Sequence, residues 1–151
     1  MKIVSKTPEQ TEDLAVKILR RITALPPKKT ATVLSLKGDL GSGKTTFSQF
    51  FAKRLGVKET IQSPTFLIIK RYQTFNHIFK NFFHIDAYRI ENENEILNLD
   101  FSKTIEDPEN IILIEWPEKI PSLIPSDAFE IYFDHGDNEN ERIINVPDEL
   151  I

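Results

Sequence analysis

Apolar positions along the chain change period several times, and each change marks an element. Leu14, Ile18, Leu19, Ile22 and Leu25 recur at helical spacing and form one face of an amphipathic helix. Its start is written in Thr7-Pro8-Glu9-Gln10, with Thr7 as N-cap, Pro8 at the first helical position and Gln10 three residues on to complete a capping box. Pro26-Pro27 ends it, because a proline ring removes an N–H and clashes with the preceding turn. Thr32-Val33-Leu34-Ser35-Leu36 is a short β-branched and apolar run, which predicts a buried strand. Phe47, Phe50, Phe51 and Leu55 return to helical spacing, and Gly56 supplies the stop.

Farther along, Thr65 to Tyr72 and Ile78 to Ile85 are apolar, aromatic and β-branched, with polar Gln73 to His77 between them, and predict an antiparallel pair. Glu93 to Leu99 reads as a short helix. Ile111-Ile112-Leu113-Ile114 is a continuous apolar run of strand length that must stop by Pro117, since proline cannot donate to a central ladder. Ala128 to Phe133 and Arg142 to Val146 form a last strand pair around the turn-rich His135-Gly136-Asp137-Asn138. Strands alternating with helices predict an α/β fold: a mixed, mainly parallel sheet with added antiparallel strands, helices on both faces, and a single domain over residues 1–151.

Between the first apolar strand and the second helix lies Gly38-Asp39-Leu40-Gly41-Ser42-Gly43-Lys44-Thr45, which fits the phosphate-binding P-loop pattern G-x-x-x-x-G-K-[ST]. A polyphosphate wrapped by successive backbone N–H groups needs side chains out of the way, hence the glycines. Lys44 adds a point charge reaching the β/γ-phosphates, Thr45 offers a hydroxyl to Mg²⁺, and the helix that starts here presents unpaired N–H groups and its positive dipole end. The order strand, glycine loop, amphipathic helix is the context this motif requires, and it identifies a P-loop NTPase fold.

Such a loop needs a carboxylate at the end of a neighbouring buried strand. Glu115, directly after four apolar residues, has that layout. Asp86 ends another apolar run, in His84-Ile85-Asp86-Ala87-Tyr88-Arg89. Two readings of it stand side by side: an acid that orders the attacking water or shares the Mg²⁺ shell, and a turn aspartate that bonds its own backbone and pairs with Arg89. Ser63-Pro64-Thr65 lies where switch loops hold a threonine against Mg²⁺ and γ-phosphate, or is a plain turn into a strand. Trp116, the only tryptophan, follows Glu115 and precedes a turn-fixing proline, a placement for a partly exposed functional ring. His77 and His84, seven apart in strand-like sequence, turn to opposite faces and do not make a metal pair.

Composition removes other classes. Formal net charge is −4 with 28% charged residues, and no basic stripe marks a nucleic-acid grip; any nucleic acid would be held by a partner. There is no cysteine, so disulfides and cysteine-based zinc sites are excluded. No apolar run approaches the roughly 20 residues of a membrane span, and a cytoplasmic location is expected.

The P-loop, Ser-Pro-Thr, His-x-Asp-x-Tyr-Arg and Glu-Trp-Pro, in this order in so short a chain, closely resemble the TsaE (YjeE) family. The resemblance implies an ATPase, weak alone, that works with TsaB and TsaD in threonylcarbamoylation of adenosine 37 of tRNAs reading ANN codons. It implies ATP and Mg²⁺ as ligands, no membrane, and tRNA contact only through the complex. By the same resemblance Gly41, Ser42, Gly43, Lys44, Thr45 and Thr46 bind the triphosphate and Thr45 and Glu115 ligate Mg²⁺. Asp86, Thr65 and Trp116 match functional positions, and Thr11 matches a position near the adenine. Two other readings share the loop: a small-molecule kinase, disfavoured because only Arg71 and Arg89 lie near the site in sequence, and an ATP-responsive binding module with incidental hydrolysis. A GTPase is disfavoured by the lack of an Asn-Lys-x-Asp signature.

Overall fold

The two all-apolar runs become the centre of a sheet, because only a strand covered on both faces can be hydrophobic at every position. The computed structural model describes residues 1–62 and 67–151. Its elements are β1 (Lys2–Ser5), α1 (Pro8–Ala24), β2 (Thr32–Lys37), α2 (Lys44–Arg54), β3 (Ile69–Gln73), β4 (Asn81–Asp86), α3 (Asn94–Leu97), α4 (Phe101–Glu106), β5 (Asn110–Glu115), β6 (Phe129–His135) and β7 (Arg142–Asn145). Among the described residues seven strands form one mixed sheet in the order β1-β7-β6-β2-β5-β4-β3. β2 runs parallel to β5 and β6, and β4 parallel to β5, while β3–β4, β6–β7 and β1–β7 are antiparallel. Five strands therefore point one way and two the other, but the pairings divide evenly between parallel and antiparallel.

Alternation along the central strands feeds two cores. Leu34, Leu36, Ile111 and Leu113 face α1 and α2, joined by Leu14, Ile18, Phe47, Phe51 and Phe133. Val33, Ile112 and Ile114 face the other way, against Ile96 of α3, Phe101 of α4 and Ile120. Helices thus cover both faces, as the pattern predicts. Phe47 is the hinge of the first core, its ring stacked on Phe51 at 5.8 Å and edge-on to Phe133 at 5.5 Å.

Several boundaries move for identifiable reasons. Thr7 caps α1 through a bond from the Gln10 N–H, but the Gln10 amide oxygen accepts from Lys6 N–H at 2.7 Å, one residue before the N-cap. The pair expected over 65–72 and 78–85 is shorter, because Asn76 Oδ1 captures the N–H groups of Ile78 (2.8 Å) and Phe79 (3.1 Å) and holds Ile78 in the turn. The helix expected from Glu93 to Leu99 spans only Asn94–Leu97, and α4 follows after Asp100, which adopts φ 57°. β1 and α4 have no counterpart in the sequence pattern. Ser63, Pro64 and Thr65 lie outside the described residues. Phe47→Ala is expected to lower stability to urea by about 3–5 kcal/mol, and Phe50→Ala, at a half-buried position, by less than about 2 kcal/mol.

Candidate functional site

β2 delivers the chain to the edge of the sheet, and Gly38 to Gly43 turn it into α2. A Cβ on Gly38 would run into the Phe133 carbonyl of β6, and its φ of +130° favours glycine as well. Gly43, at φ 104°, is the N-cap of α2, and no side chain caps that helix's first turn. Lys44 folds back into the loop: its Nζ donates to the carbonyls of Gly38 (2.5 Å) and Asp39 (2.8 Å), near Ser42 Oγ at 3.4 Å. The same ammonium sits 4.4 Å from the centre of the Trp116 ring. Burial pulls Lys44 below the usual lysine range, opposed by the nearby charges of Glu115, Glu118, Asp39 and Asp86.

Glu115, at the end of β5, is buried at 2% exposure and bonded on both oxygens. Thr45 Oγ1 donates to Oε2 at 3.0 Å; Ser48 Oγ, one turn further along α2, donates to Oε1 at 3.0 Å; and His84 Nε2 of β4 meets Oε1 at 2.8 Å. Burial alone would raise this carboxyl, but the hydrogen bond and charge of His84, with the two hydroxyls, outweigh it and hold Glu115 below the usual carboxylate range. The acid is therefore an anion at the carboxyl edge of the sheet, where open α/β sheets bind ligands.

Its register partner on β4 is Asp86. Asp86 Oδ1 accepts the Tyr88 N–H at 3.1 Å, the backbone bond of a turn aspartate, and the residue also lines the cleft, so the two readings of it are compatible. Trp116 is half-buried with φ 60°, and Tyr88 packs on it at 4.9 Å between ring centres. Thr11 is buried in α1, its hydroxyl 2.8 Å from Ser5 Oγ. An open cleft of about 1140 Å³ gathers Thr11, Gly41, Ser42, Gly43, Lys44, Thr45, Thr46, Asp86, Glu115 and Trp116. Thr65 lies outside the described residues.

Sequence gives no role to three side chains at this place, although His84 heads the His-x-Asp-x-Tyr-Arg motif. His84 and Ser48 complete the Glu115 cage, and the only local signal for Ser48 is its position one helical turn past Lys44. Arg142 lines the cleft with its stem about 3.6–3.7 Å from where a Gly43 Cβ would stand, and its guanidinium donates to the carbonyls of Glu139 and Glu141. Arg89 lines the cleft too, whereas Arg71 bonds Asn81 within the β3–β4 ladder.

The donor set suits a polyphosphate with a hard cation. Lys44, the glycine backbone and the uncapped start of α2 offer positive charge and N–H donors to an anion. Thr45 and Glu115 offer adjacent oxygens, the ligand type of Mg²⁺. Among the described residues no group of three or more His, Asp or Glu side chains forms a metal cage. No helix among the described residues is long and apolar enough to cross a membrane.

Comparison with known proteins gives one answer. Residues 5–144 match the family model described as "Threonylcarbamoyl adenosine biosynthesis protein TsaE". The tRNA threonylcarbamoyladenosine biosynthesis protein TsaE of Bacillus subtilis is 38% identical over 135 residues, covering 89% of this chain and 78% of that protein. Its namesake in Nostoc sp. is 36% identical over 149 residues, covering 97% and 85%. The crystal structure of Bacillus subtilis YdiB superposes with a TM-score of 0.67 at 31% identity, over 95% of this chain and 82% of that one. With the family model spanning nearly its whole length, the chain belongs to the TsaE family.

Proposed function

We propose that this chain is a P-loop protein that binds and hydrolyses ATP with Mg²⁺, as an accessory to threonylcarbamoylation of adenosine 37 in tRNAs reading ANN codons. It would act in the cytoplasm with TsaB and TsaD and meet tRNA only through them. The observation that carries the nucleotide chemistry is the contact between Thr45 Oγ1 and the Glu115 carboxylate, beside Lys44 at the mouth of the glycine loop. The tRNA role is supported by the names of the relatives.

In this reading Lys44 supplies charge to the β/γ-phosphates, and Gly41, Ser42, Gly43, Thr45 and Thr46 wrap them with backbone N–H groups. Thr45 and Glu115 would hold Mg²⁺, which when bound neutralises charge on the phosphate oxygens. Asp86, register partner of Glu115, would orient the attacking water, with Thr65 as a second switch-like contact and Thr11 toward the adenine. Trp116 closes the loop side of the cleft over Lys44.

The test is ATP hydrolysis by the purified protein with and without TsaB and TsaD, alongside reconstituted tRNA modification. Slow hydrolysis that accelerates with partners is expected; rapid phosphate transfer to a nucleoside or sugar without partners would favour a kinase instead. Lys44→Ala is expected to weaken ATP binding by about 1.5–3 kcal/mol, the range for charged hydrogen bonds, and to abolish modification; full modification by that variant would favour a binding module. Trp116→Ala, at a half-buried position, should stay folded and bind nucleotide but fail in modification. For Glu115, whose folded pKa is lowered, the stabilisation is fully present above the ordinary carboxylate value of about 4.3 and is lost as pH falls through the lowered one. Urea unfolding should show the stability gap between wild type and Glu115→Gln flat from neutrality down to the ordinary carboxylate value of about 4.3 and shrinking below it.

A further inference from the structure

We propose that His84 is a positioning residue for Glu115: its Nε2–H fixes the carboxylate so that Oε2, beside the Thr45 hydroxyl, is the oxygen presented to a divalent cation. The inference rests on the Mg²⁺–nucleotide reading above and assigns a role inside that site which the glycine loop and the strand-end acid leave open.

The two carboxylate oxygens are treated unequally. Oε1 faces two groups, His84 Nε2 at 2.8 Å and Ser48 Oγ at 3.0 Å, the latter with one proton to share between Oε1 and a backbone carbonyl. Oε2 receives only Thr45 at 3.0 Å and keeps one direction open. An ionised carboxylate accepts and never donates, so the shared proton belongs to His84 Nε2. Ser48 cannot set the orientation alone, because its hydroxyl also lies 2.8 Å from the Lys44 carbonyl, the bond typical of a helix serine. The imidazole has no such competing demand: Nδ1 is buried without a hydrogen-bond partner among the described residues.

That orphaned nitrogen shows what the residue is for. His84 is fully buried, stacked on Phe82 with an interplanar angle of 11° and a centroid distance of 6.4 Å, in strand register with Leu113. A phenylalanine or leucine would continue this apolar surface without a buried polar atom, which is unfavourable when unpaired. What the imidazole adds in exchange is one donor aimed at Glu115. A partner that holds a metal ligand in place commonly changes metal affinity 10–100-fold when removed.

The test compares wild type, His84→Phe and His84→Gln. ATP binding is followed by calorimetry with Mg²⁺ and with EDTA, and hydrolysis is measured against Mg²⁺ concentration. The phenylalanine variant keeps the stacked ring but cannot donate; its half-saturating Mg²⁺ should rise about tenfold, with ATP affinity in EDTA unchanged, and the glutamine amide should restore it to within about threefold. An unaltered Mg²⁺ dependence in His84→Phe, or equal loss of ATP binding with and without Mg²⁺, would overturn the proposal. A measurement on wild type stands even if the phenylalanine variant does not fold. Proton–nitrogen correlation of the labelled imidazole should find the proton on Nε2 and a signal that moves when Mg²⁺ joins the ATP complex but not when ATP is added in EDTA. A bare Nε2 would sink the role of His84 alone, whereas a wild type that ignores ATP or Mg²⁺ would sink the nucleotide reading beneath it.

Discussion

A carboxylate with almost no exposure organises this molecule. Glu115 stands where β4, β5 and α2 meet, and an ionised acid there carries a desolvation penalty of several kcal/mol unless donors surround it. Three donors do, each from a defined element: His84 from β4, Thr45 and Ser48 from α2. The strand ends and the helix start are thereby held in one register. Because an uncompensated buried charge is worse than none, this junction cannot drift: a shift of α2 by one residue would break two of the three bonds.

The glycine loop inherits that rigidity. β2 lies between β5 and β6, so the loop leaving it is bounded by Glu115 on one side and by the Phe133 carbonyl, pressed against Gly38, on the other. Lys44 ties the loop's first two carbonyls to the helix that follows. Trp116, in a left-handed conformation at φ 60°, folds back over the same ammonium instead of continuing the strand. That conformation is uncommon for a bulky side chain, and in it the ring packs on Lys44, Tyr88 and the second core.

The parts of this arrangement that sequence makes legible are those with local periodicity or a local motif. The apolar runs of β2 and β5, the helical stripes of α1 and α2 and the glycine octet each declare themselves within a dozen residues. β1 does not, because its four residues are a strand only by pairing with β7, more than 130 positions away. α4 spans six residues and offers the core only Phe101 and Ile105, too short a stretch for a helical period to emerge. His84 stands in the His-x-Asp-x-Tyr-Arg motif, which gives it no role of its own. Its meaning comes from a partner 31 positions later, and no spacing rule connects a strand interior to the end of the neighbouring strand.

The same long-range pairing explains how so short a chain walls its cleft. In the β1–β7 ladder Ser5 stands opposite Arg142, and in the β6–β7 ladder Arg142 stands opposite His135. This places the start of β7, the turn into α1 and the end of β6 on one side of the glycine loop, while Asp86, Tyr88 and Trp116 line the other. The His135 ring reaches the Leu40 carbonyl at 3.3 Å, and the hydroxyls of Ser5 and Thr11 meet beneath the wall. Among the described residues these walls are strands of the sheet and their connections, added by antiparallel pairing at its edge. Lys44 and Glu115 therefore sit in a cleft shaped by the fold, and β1, invisible in the sequence pattern, brings Ser5 to its wall.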